Sequence, residues 1–172
     1  MITNASPLIV NAKLEILKEV SKLYPILEIT EWVYQEAVLN GLESERQDAV
    51  MIETLYKKGC IKIIKLNKKH QDLAEHIQEN YKLDRGEAET IALALQKDVK
   101  EILMDEAIGR RVAIFFNLRP KGSLRVLLEL YKKKYLDEEQ LKNKVNELIG
   151  SQFRLDAQVL AHFWDLFERI KK

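Results

Sequence analysis

The stretch LDRGEAETIALALQKDVKEILMDEAIGRRVA, residues 83–113, reads as helix, strand, helix, and its reading decides the fold. Asp84 opens a helix whose apolar stripe is Ala88, Ile91, Ala92, Leu93 and Leu95, the spacing of a buried helix face. Glu101–Met104 follows as a short strand, apolar at Ile102, Leu103 and Met104, with Asp105 at its carboxyl end. A second helix runs from about Glu106 to Phe116.

The same alternation extends in both directions. Upstream, Met1–Asn4 is a first strand, and Ser6-Pro7 reads as N-cap and first helical position of a helix bearing Leu8, Ile9, Leu14, Ile16, Leu17 and Val20. Tyr24–Ile29 reads as a second strand. Thr30 caps a helix with Trp32, Val33, Glu36, Ala37 and Leu39, which Gly41 ends. A helix over Glu43–Lys58, a third strand over Cys60–Leu66 and a helix over His70–Asn80 lead back to residue 83. Downstream come a minimal fifth strand at Leu118–Lys121, a turn at Gly122, and helices over Ser123–Lys133, Asp137–Ile149 and Asp156–Lys171. Short strands alternating with helices imply a parallel sheet covered on both faces. In such sheets functional residues gather at the carboxyl ends of the strands, where Asn4 and Asp105 both fall.

Composition narrows the chemistry. The 172 residues suit one domain, with 47% hydrophobic and 32% charged residues, 6 Gly and 3 Pro. The net charge of +1 supplies no general attraction for nucleic acid, so such a partner would need a local patch. The single cysteine, Cys60, excludes an internal disulfide and reads as a buried thiol among Ile61, Ile63 and Ile64. No apolar run approaches the roughly 20 residues of a membrane span, and Met1–Val10 does not resemble a signal peptide, so a cytoplasmic location is the expectation. No GxxxxGK[ST], GxGxxG or HExxH is present.

Asn4, Glu36, Glu87 and Asp105 are the candidates for chemistry. Brought together, their oxygens would repel one another and suit Mg²⁺ or Mn²⁺ rather than Zn²⁺. An ion held there favours hydrolysis of a phosphodiester. Taken singly, each has a commoner structural use. Asp105 can cap the next helix, Glu87 can complement a helix dipole, Glu36 can form a surface ion pair and Asn4 can tie a turn. Arg110 and Arg111 can hold phosphate or brace Asp105 or Glu106.

Three blocks carry a family resemblance: ITNASPLIVNAKLEIL at residues 2–17, LDRGEAETIALAL at 83–95 and ILMDEAIGRRVA at 102–113. In order and spacing they resemble the PIN-domain proteins, closest to a prokaryotic branch whose members begin Asn-Ala-Ser-Pro-Leu-Ile. The resemblance implies a three-layer α/β/α fold around a parallel sheet of four or five short strands. It implies a PIN-like domain over 1–150, with 151–172 a helix packed on or extending it. It also implies a Mg²⁺- or Mn²⁺-dependent ribonuclease, with RNA as substrate. In the VapC-like members this is the toxin of a toxin–antitoxin pair, so a small antitoxin partner and a homodimer are further implications. The family's acidic positions fall on Asn4, Glu36, Glu87 and Asp105, with Glu106 and Ser6 assisting. Asn4 stands where the best-known nucleases carry Asp, which removes one charge. A catalytically weak module binding RNA or protein is the competing reading, and a hydrolase of small phosphate esters a third. The apolar run Leu155, Val159, Leu160, Phe163, Trp164, Phe167 and Ile170 reads as core or partner face.

Overall fold

The computed structural model describes residues 1–151 and 156–171. Five parallel strands, β1 (Ile2–Thr3), β2 (Leu27–Ile29), β3 (Ile61–Ile63), β4 (Glu101–Leu103) and β5 (Arg119–Lys121), form one sheet in the order β3-β2-β1-β4-β5. The order reverses at β1: the chain builds outward through β2 and β3 on one side, then returns to lay β4 and β5 on the other. The register pairs Ile2 with Ile102 and Thr3 with Leu103, so Asn4 leaves β1 beside the end of β4.

Successive strand residues point to opposite faces, and both faces are buried. Leu27, Ile29, Ile61 and Leu103 enter one core, with Leu8 and Ala12 of α1 (Ala5–Lys13), Val20 of α2 (Leu17–Leu23), Ile52 of α5 (Gln47–Lys57) and Leu127 of α9 (Ser123–Lys132). Ile2, Ile102 and Met104 enter the other. There they meet Ile77 of α6 (Lys68–Tyr81), Ile91 of α7 (Arg85–Gln96) and Val112 of α8 (Ala107–Phe115). The result is the three-layer α/β/α arrangement expected from the alternation. α10 (Glu138–Gly150) and α11 (Ala157–Lys171) extend the first core. Phe163 and Phe167 of α11 are buried, Phe167 against Tyr131, while Val159 is exposed. Leu155 lies outside the described residues.

Several boundaries move for local reasons. The first helix is capped by Asn4, whose Oδ1 accepts from Ala5 N at 2.8 Å, so Ser6 and Pro7 lie inside its first turn. Pro is tolerated there because the first-turn N–H groups have no helical acceptor. The helical run then breaks at Glu15, which adopts positive φ, giving α1 and α2. β2 begins only at Leu27. Gly41 does not end its helix. It lies inside α4 (Asn40–Glu43), where the close approach of α5 demands it: an added Cβ would come within 2.5 Å of Ala49 Cβ. Glu45, also at positive φ, delays α5 to Gln47. β3 is confined to Ile61–Ile63, and Cys60 is half-buried rather than enclosed.

Candidate active site

The carboxyl ends of β1 and β4 open into a cavity of about 790 Å³ whose wall includes Asn4, Ser6, Lys13, Glu36, Arg46, Asp84 and Glu106. It lies where the strand order reverses, the place at which open parallel sheets bind ligands.

The acidic groups arrive on three separate segments. Glu36 sits in a π-helical turn, Gln35–Leu39, inserted between α3 (Glu31–Tyr34) and α4. Thr30 starts this segment, its Oγ1 accepting from Val33 N at 3.3 Å. A π turn widens the helix and re-aims its side chains, and here the turn carries Glu36 on the cavity wall. Asp84 and Glu87 form a reciprocal capping box on α7. Asp84 Oδ1 accepts from Glu87 N at 2.8 Å, and Glu87 Oε2 accepts from Asp84 N at 3.1 Å, satisfying two otherwise unpaired donors.

Glycines mark how closely these groups approach. A Cβ at Gly86 would collide with Glu36 Oε2 and lie 3.2 Å from Asn4 Oδ1 and 3.5 Å from Asp84 Oδ1. Glu36, Asn4 and Asp84 therefore surround one point on the first turn of α7. A Cβ at Gly109 would collide with Glu87 Oε1 and lie 2.7 Å from Met104 Sδ. Glu87 is buried and reaches beneath α8 instead of lining the cavity.

Asp105 and Glu106 are adjacent but part company. Asp105 is taken up by the start of α9, its Oδ1 accepting from Ser123 N and its Oδ2 from Ser123 Oγ, both at 2.7 Å. It neither caps α8 nor lines the cavity. Glu106 does line it, and Glu106 Oε2 and Glu87 Oε1 are both buried without a hydrogen-bond partner. Arg110 donates from Nη1 to Met104 O at 3.1 Å and so braces the strand end, while Arg111 is exposed on α8. The cations on the cavity wall are instead Lys13 and Arg46, the latter paired with Asp48.

Electrostatics follow from this crowding. Burial, then the charges of Asp84, Glu106 and Glu89, pushes Glu36 up to about 7. Burial, then Asp84, opposed by the bond from Asp84 N and reinforced by Glu106 and Glu36, pushes Glu87 up to about 7. Burial pushes Asp105 up to about 6 against the two Ser123 hydrogen bonds.

A family model described as a PIN domain matches residues 1–169. The chain belongs to the PIN-domain family. No curated protein and no solved structure matches it. PIN domains are generally nucleases, typically acting on RNA with divalent metal ions. The donors of this PIN domain fit such an ion in kind. They are oxygens, and Glu106 Oε2 among them is buried and unpartnered, which suits a hard cation. Among the described residues, no three His, Cys, Asp or Glu side chains form a ready metal-binding group; the carboxylates ring the cavity. Among the described residues no helix is long and apolar enough to cross a membrane.

Sequence reasoning singled out Asn4, Glu36, Glu87 and Asp105. The fold puts Asn4 and Glu36 on the cavity wall, Glu87 beneath it and Asp105 on Ser123. Asp84, Lys13 and Arg46 were not among the candidates. For Asp84 the available signal was Gly86, where a Cβ would lie 3.5 Å from its Oδ1; nothing local marks Lys13 or Arg46.

Proposed function

We propose that this PIN domain is a metal-dependent endoribonuclease whose donors are Glu36, Glu106 and Asn4, with Asp84 beside them. The observation that carries this reading is the switch-point cavity, lined by acidic oxygens and by two cations, with Glu106 Oε2 left without a partner. Mg²⁺ or Mn²⁺ held there would supply a lowered water pKa and counter-charge for the phosphate. Glu87 buttresses the wall through the Asp84 cap, and Asp105 holds the loop after β5 through Ser123. Lys13 offsets part of the charge of the phosphodiester that the carboxylates would otherwise repel, while Arg46 is held by Asp48. Asn4 contributes an amide oxygen with a second lone pair beyond its bond to Ala5 N, but no charge.

Cleavage of mixed RNA with Mn²⁺, with and without chelator, tests this. Glu36→Gln and Glu106→Gln should each lower the rate at least about a hundredfold, on the scale of losing one electrostatic stabiliser. Full activity in both variants would refute the site. Asp105→Asn separates ligand from brace: we expect a lowered melting temperature, whereas lost cleavage at unchanged stability would make Asp105 a donor.

The uncharged Asn4 favours a second reading, a module that binds RNA or protein without cutting. Calorimetry with Mn²⁺ distinguishes the two, because absent metal binding beside retained RNA binding supports the module. The toxin role rests on the family resemblance, and arrest of growth on expression, relieved by a small protein encoded alongside, is its test. Pairing is supported by apolar side chains left exposed on α8, Ile108, Ile114 and Phe115 at 52%, 59% and 68%. A monomer in light scattering at micromolar concentration would exclude it.

A further inference from the structure

Beside the acid cavity lies a second groove of about 720 Å³, at the carboxyl ends of β2 and β3. The two share a wall. Gln35 and Arg85 line the groove, while their chain neighbours Glu36 and Asp84 line the acid cavity.

The groove holds an aromatic platform. Trp32 is 37% exposed, an unusual position for an indole that core packing does not require. The Arg85 guanidinium lies over its ring at 4.4 Å from the centroid, and Glu89 fixes that guanidinium through Nε at 2.7 Å. The guanidinium covers one face of the indole, and ordering the pair in advance lowers the cost of stacking a ligand on its open side. Gln35, Gln71 and Gln78 line the same groove. Gln35 and Gln71 donate from Nε2 to Asn40 Oδ1 and Leu66 O, keeping their oxygens as acceptors.

The charge of the lining argues against an anionic ligand. Glu31, Glu75 and Glu89 outnumber Lys65 and Arg85, so a phosphate is disfavoured, whereas a neutral ring with donor and acceptor edges is accommodated. We infer that this groove is a nucleobase subsite: the base beside a phosphodiester held in the acid cavity stacks on Trp32 and Arg85 and meets the glutamine amides. The inference rests on the ribonuclease reading for its substrate. It adds the demand that the RNA be single-stranded there, since a paired base cannot leave its stack to enter the groove.

Tryptophan fluorescence tests it without turnover. In a Trp164→Phe protein, Trp32 is the remaining indole. It is titrated in chelator, which withholds the ion that cleavage needs, with a short single-stranded oligoribonucleotide and with an abasic oligomer of the same length. The intact oligomer should quench Trp32, and the abasic one should bind about tenfold more weakly, as loss of one stacked base predicts. Measured by anisotropy in wild-type background, Trp32→Ala should weaken the intact oligomer by a similar factor, and Trp32→Phe should restore most of the affinity. Equal affinity for intact and abasic oligomers, an unresponsive Trp32, or quenching by a cationic peptide and by no oligonucleotide would each overturn the subsite. The two readings fail separately. Metal-dependent cleavage with a silent Trp32 leaves the nuclease and removes the subsite, whereas base-dependent quenching without cleavage does the reverse.

Discussion

Raising the pH in the absence of divalent ions should destabilise this protein, and Mn²⁺ should restore it. Glu36 and Glu87 have ordinary values of 4.5 and reach about 7 in the fold. Between those values the folded chain binds more protons than the unfolded one, so stability falls as pH rises and levels off above about 7. Each displacement is worth roughly 3 kcal/mol at about 1.4 kcal/mol per pH unit. Glu36 is partly solvated and the two groups share one repulsion, so we take half the sum, about 3 kcal/mol. For a chain of this size that is a fall in melting temperature of roughly 10 °C between pH 5 and 8. Asp105, also raised, acts in the same direction. The depressed carboxyls Asp48, Glu129 and Glu138 act only at more acidic pH. Thermal melts in chelator read the slope, and Glu36→Gln with Glu87→Gln should flatten it, since Gln at the third helical position keeps the capping box. Mn²⁺ at about a hundred times its dissociation constant should add about 2.7 kcal/mol at pH 8. A melting temperature that holds or rises from pH 5 to 7 in chelator, or an undiminished slope in the double variant, would refute the reasoning.

The other expectations concern packing around the site. Gly109→Ala should cost about 1–3 kcal/mol in urea denaturation by forcing a methyl against Glu87 and Met104. Gly150→Ala, at the end of α10 with nothing within 4 Å, should instead be neutral or stabilise by up to about 1 kcal/mol. Ser123→Ala should cost about 1–3 kcal/mol by stripping one hydrogen bond from the Asp105 carboxylate, while leaving the Mn²⁺-induced rise in melting temperature intact. Asp137→Ala should cost about 1 kcal/mol through loss of the bond to Gln140 N, with cleavage unchanged.

Thr30 and Asp84 were legible as helix starts because a cap is decided within three residues of chain. The strands were legible from short apolar runs between helices, though β2 and β3 proved shorter than their apolar stretches. The site was legible in part. Asn4 and Glu36 could be singled out, but neighbouring acids gave no local sign of which would face the cavity. Asp105 and Glu106 differ in nothing a pattern can detect; the position of Ser123 at the start of α9 draws Asp105 away. Lys13 and Arg46 look like ordinary surface cations until α1 and the segment before α5 meet at the cavity.

The alternation of strands and helices, the caps at Thr30 and Asp84 and the family were written in the chain itself, because they depend on periodicity and on contacts a few residues apart. Which carboxylates share a cavity, which are tied up by hydroxyls, and where an exposed indole meets a guanidinium were decided only by tertiary packing. Those outcomes turn on distances of a few ångströms between segments far apart in sequence, and no local pattern encodes them.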